Sequence, residues 1–86
     1  MLYKIIKTQS SSDELISYSL FRHNAEEDDL RAETYGIIAV DRYKSNTVND
    51  VTTDIFTAEK LMAELSDNSV RVDSIVDYII DYLSEL

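Results

Sequence analysis

The apolar residues of this chain change their period once, between Ile55 and Ala58: before that point they alternate in twos, and after it they recur in threes and fours. Strand side chains alternate between faces, whereas helical ones return every 3.6 residues, so this change orders the chain as strands first and helices second. That order specifies an α+β class, with an antiparallel sheet of about four strands followed by two C-terminal helices packed on one face. The 86 residues support one small domain over 1–86, too short for two independent cores.

The strand half carries no proline and a single glycine, Gly36, so turns must be read from Ser, Asn and Asp clusters. Leu2 to Lys7 reads as a strand ended by Ser10-Ser11-Ser12-Asp13, and Leu15 to Arg22 as its hairpin partner, with Ile16, Tyr18 and Leu20 on one face. Asn24 to Asp29, with Glu26-Glu27-Asp28-Asp29, is too charged for a core and reads as an exposed loop or frayed helical turn. Thr34 to Tyr43 has apolar residues on both faces and reads as the central strand. Gly36 within it implies a bulge or a close approach, with Tyr35 or a neighbouring ring covering it. Lys44 to Asn49 reads as a turn, and Val48 to Ile55 as a weaker strand with Val51, Thr53 and Ile55 on one face.

In the helical half, Ala58, Leu61, Met62 and Leu65 form the stripe of an amphipathic helix with Thr57 as N-cap and Glu59 in the first turn. Ser66 to Ser69 ends it. Asp73 or Ser74 then caps a second helix whose apolar face is Ile75, Val76, Ile79, Ile80 and Leu83. Leu61, Leu65, Ile75, Ile79 and Leu83 are expected to bury against Ile38 and Val40, the surface left for two helices to cover.

Thr34-Tyr35-Gly36-Ile37, Asp50-Val51-Thr52-Thr53-Asp54 and Asp77-Tyr78-Ile79-Ile80-Asp81-Tyr82-Leu83 together resemble segments of a family of short bacterial proteins of unknown function, over about the last two-thirds of the chain. The resemblance implies a bacterial, cytoplasmic context and transfers no site residue.

Composition removes several classes of chemistry. Without cysteine there are no disulfides, thiolate metal sites or cysteine nucleophiles. One glycine cannot build a phosphate-cradling loop or a dinucleotide-binding turn, and Ser10-Ser11-Ser12 lacks a nucleophile-elbow setting. The acidic run at residues 26–29 lacks the alternating ligands and turn glycine of a calcium loop. His23, the single histidine, reads as a surface residue at a strand end, with no signature of a nucleophile or orienting partner. The chain reads as non-catalytic, with no cofactor and no metal assigned. Its apolar runs are too short for a membrane span or signal-peptide core, and a cytoplasmic protein is the default.

Charge is the remaining signal. Seventeen acidic against eight basic residues leave a net charge of -9, which argues against direct contact with nucleic acid or an anionic membrane. Residues 1–44 hold six basic and eight acidic groups, net -2; residues 45–86 hold two and nine, net -7. Asp73, Asp77, Asp81 and Glu85 recur every four residues along the last helix, and Tyr78 and Tyr82 flank them. These six are the candidate surface for a protein partner of basic character, against the alternative of a plain solvated face. The expectation is a protein-interaction or regulatory module, forming a homodimer through a strand edge or the final helix. The rival reading is an acidic nucleic-acid mimic that occupies the groove of a basic nucleic-acid-binding protein.

Overall fold

The computed structural model describes residues 3–27 and 30–85. Four strands, β1 (Tyr3–Ser10), β2 (Ser17–Glu27), β3 (Leu30–Val40) and β4 (Ser45–Thr52), form an antiparallel meander in the order β1-β2-β3-β4. Two helices follow, α1 (Ile55–Asp67) and α2 (Ile75–Ser84), the second entered through a short 3-10 turn at Val72–Ser74. Helix α1 packs against all four strands, and α2 against β4 and α1. The architecture matches the α+β expectation, while several boundaries move for identifiable reasons.

Asn24 to Glu27 are not a loop: they continue β2 and pair with β3 as far as Glu27 opposite Leu30. Local charge opposed that pairing, and the two-stranded ladder overrode it. The expectation for Asp28 and Asp29 lies outside the described residues. β4 starts at Ser45 rather than Val48, because the turn is made earlier by Asp41, whose carboxylate accepts the backbone N–H groups of Tyr43 at 2.7 Å and Lys44 at 2.8 Å. These bonds, the Tyr43 one foremost, hold the Asp41 pKa below its ordinary value. At the other end, Asp54 is the N-cap of α1, accepting from the Phe56 N–H at 3.2 Å and the Thr57 hydroxyl at 2.8 Å. Thr57 is thus spent as a donor inside the first turn, Glu59 falls beyond that turn, and Ile55 belongs to the helix.

The residues that paired strands share divide the sheet into two faces. Tyr18 and Leu20 of β2 with Tyr35, Ile37 and Ala39 of β3 face the helices and are buried. Ile38 and Val40 point the other way, with Val40 at 43% exposure, so the helices cover the odd-numbered apolar residues of β3 and not the pair expected. From above, Ala58, Leu61, Met62 and Leu65 of α1 and Ile75 and Ile79 of α2 close the core. Val76 and Ile80 remain outside it at 38% and 56%, while Leu83 is half-buried against its edge.

The serine run at the β1–β2 turn docks the C-terminal end of α1. Ser12 donates from its backbone N–H to the Ser66 carbonyl at 3.0 Å and from its hydroxyl to the Ser66 and Asp67 carbonyls. Ser66 in turn donates its hydroxyl to the Ser10 carbonyl. Helix-end carbonyls lack partners within their own helix, and the turn supplies them. Gly36 is required by close approach: a Cβ there would meet the Phe21 ring and stand 2.7 Å from the Val48 carbonyl oxygen. Phe21, paired opposite Gly36, is the covering ring.

Candidate functional site

Helix geometry places Tyr78, Asp81, Tyr82 and Glu85 at i, i+3, i+4 and i+7, one face of α2. That face is turned toward α1, where Glu64 completes a groove of about 360 Å³ lined by these five residues. Two phenol rings and three carboxylates therefore border one concavity. Tyr78 and Tyr82 are half-buried and pack against the core, so their rings are held from beneath. Asn68, the C-cap of α1, donates its side-chain amide to the Tyr78 hydroxyl at 3.3 Å. Burial, and then the nearby Glu64 carboxylate, push the Tyr78 pKa up, which keeps the phenol neutral.

Of the six residues expected to form a surface, the structure brings Tyr78, Asp81, Tyr82 and Glu85 together and separates the other two. Asp73 lies in the 3-10 turn before α2, where the Lys44 ammonium stands 3.2 Å from its carboxylate and, as hydrogen-bond partner, holds its pKa down. Asp77 is exposed on α2 and does not line the groove. Four-residue spacing overshoots a helical turn by about 40° per step, so a stripe of that period drifts around the helix. Glu64 was not among the expected residues. Its signal is its place beside Leu65 at the margin of the buried stripe of α1, where a side chain can reach a neighbouring helix.

A second cluster surrounds His23, which is buried at 7% exposure and not on the surface. Because β2 runs on to Glu27, His23 is an interior strand position, paired with Tyr3 on one side and Thr34 on the other. The β3–β4 register shifts between Tyr35 and Ile37, and in the bulged segment Asp50 takes φ 54. Its Oδ1 lies 2.9 Å from His23 Nε2 and accepts the Thr34 hydroxyl proton at 2.7 Å. Thr34 Oγ1 is also 3.1 Å from His23 Nε2. The imidazole thus offers one Nε2–H to both oxygens, while Nδ1 has no partner among the described residues. The Thr34 hydroxyl bond foremost lowers the Asp50 pKa; burial opposes it, and the His23 contact adds a further lowering. Both oxygen partners sit on the same ring nitrogen, so the arrangement fastens β4 to β2 and β3 rather than relaying a proton from a hydroxyl through the ring to a carboxylate.

Among the described residues no group of three or more His, Cys, Asp or Glu is placed to hold a metal ion, and no helix is long and apolar enough to cross a membrane. Fold and groove together define a small α+β domain with an acidic, tyrosine-lined cleft on its helical side. Compared with protein-family models, with curated proteins and with solved structures, the chain matches none.

Proposed function

We propose that this chain is a non-catalytic protein-interaction module of the bacterial cytoplasm, and that its α1–α2 groove receives a cationic side chain from a basic protein partner. The observation that carries this reading is the convergence of Glu64, Asp81 and Glu85 on a concavity walled by Tyr78 and Tyr82. A guanidinium or ammonium group gains from both walls, through carboxylate hydrogen bonds and through the faces of the tyrosine rings. The net charge of -7 over residues 45–86 adds a longer-range attraction that raises the encounter rate. A nucleic-acid mimic draws on the same charge, but it would use the exposed carboxylates of α2 as a convex row, Asp77 included.

Titration with an oligoarginine peptide, followed by chemical-shift changes in the tyrosine rings, separates these readings. The groove predicts shifts centred on Tyr78 and Tyr82 that disappear in Asp81→Asn/Glu85→Gln and persist in Asp77→Asn. The double variant should also melt higher, since it removes negative charge from the C-terminal end of α2. Equal weakening by Asp77→Asn would favour the mimic, and shifts indifferent to all three substitutions would remove the groove as a site.

A further inference from the structure

We infer that the side chain received by the groove is arginine in preference to lysine, an inference that rests on the groove being a cation site. At about 100° per residue around α2, Asp81 and Tyr82 mark the two margins of the groove face, with Glu85 and Tyr78 between them. Tyr78 and Tyr82 are half-buried and packed on the core, whereas Asp81 and Glu85 are exposed. The phenol rings therefore form the floor of the concavity and the carboxylates its rim on the α2 side. Glu64, exposed on α1, forms the rim across from them. Asn68 fixes one end of this frame, donating its side-chain amide to the Glu64 carbonyl oxygen at 2.9 Å and to the Tyr78 hydroxyl at 3.3 Å. Among the described residues no Lys or Arg lines the groove, and none of its three carboxylates has an ion-pair partner.

An aromatic floor with acceptors on both rims suits a flat cation. A guanidinium is planar, its faces are weakly hydrated, and its N–H donors all point outward in its own plane. Laid on the tyrosine rings, it keeps one face on the floor and directs its edges to Glu64 on one side and to Asp81 and Glu85 on the other. A lysine ammonium is a compact, strongly hydrated point charge. Settled on the rings it gives up water without reaching both rims, and settled on a rim it leaves the rings. The two cations carry the same charge, so the long-range field of the chain does not tell them apart and the discrimination belongs to the groove. The partner segment that fits is therefore arginine-bearing and not merely basic.

Titration of the wild-type chain with oligoarginine and oligolysine peptides of equal length, at about 0.15 M salt and followed by the Tyr78 and Tyr82 ring signals, tests this. The expected result is binding about tenfold tighter for oligoarginine. Oligoarginine dimethylated on its guanidinium groups, which keeps the charge and blocks the in-plane bonds, should bind no more tightly than oligolysine. In Glu64→Gln, checked for folding by its melting curve, the arginine preference should shrink to about threefold or less, because one rim loses its charge. Equal affinity of the two unmodified peptides overturns the inference and leaves the cation site standing. So does dimethylated oligoarginine that binds as tightly as the unmodified peptide, or a full preference retained in Glu64→Gln. Ring signals that respond to neither peptide overturn the cation site and the inference together. The methylated probe acts on the unaltered protein, so a Glu64 variant that fails to fold still leaves a decisive result.

Discussion

His23 Nε2 lies 2.9 Å from Asp50 Oδ1, joining residues 27 positions apart and holding a bulged edge strand to the middle of the sheet. The ring is almost enclosed, with 8% of its side-chain surface exposed, whereas the Asp50 carboxylate is 65% exposed and turned half to water. The contact is thus an anchor reached from outside: the carboxylate comes to the histidine because the backbone at Asp50 adopts a left-handed turn. Thr34 donates a second bond to the same oxygen, so loss of the carboxylate leaves the Thr34 hydroxyl without its acceptor and the His23 Nε2–H with Thr34 Oγ1 alone.

Replacement of Asp50 by Ala should destabilise the fold by about 1–3 kcal/mol through those lost bonds. The effect should depend on acidity. The folded-state pKa of Asp50 is depressed, so its contribution is complete above the ordinary carboxylate value of 3.8 and is lost as pH falls through the lower folded value. Urea unfolding of wild type and Asp50→Ala at neutral pH and in the acid range should give curves that converge at low pH.

Tyr18 is fully buried, and its hydroxyl donates to the Val70 carbonyl at 2.6 Å. Burial, with a smaller push from the Asp13 carboxylate, raises its pKa from 10.0 to about 12. The unfolded chain releases this proton first, so the stabilisation is intact below pH 10.0 and drains away as pH rises to about 12. Tyr18→Phe should cost about 1–3 kcal/mol at neutral pH, since it leaves a carbonyl unsatisfied, and should flatten the alkaline limb of a stability profile measured by chemical denaturation.

Ile79 and Ile80 are neighbours with opposite fates. Ile79 is 1% exposed in the core and Ile80 is 56% exposed, although the heptad-like spacing assigns both to one apolar face. Ile79→Ala should cost about 2–5 kcal/mol, and Ile80→Ala about 0.5 kcal/mol or less. Equal losses in thermal or denaturant melts would mean that α2 is rotated from the orientation described.

The period change near Ile55 determined the fold class, because the two periods cannot bury their apolar residues in each other's secondary structure. Tyr18 and Leu20, and the Ala58, Leu61, Met62 and Leu65 stripe, were legible for the same reason: their spacing alone sets which side they share. The spacing of Tyr78, Asp81, Tyr82 and Glu85 likewise contained the α2 wall of the groove. What lay across from that wall could not be read, since Glu64 meets it only through the way α1 and α2 pack, and no local pattern encodes that packing. The start of β4, the cap at Asp54 and the use of the serine run depended on which polar side chain took which backbone group, a competition decided by three-dimensional reach. His23 shows the limit most plainly. Its burial follows from strand pairing carried past the charged residues of β2 and from a bulge in a strand 27 residues away, and both are long-range choices of register that tertiary structure alone decides.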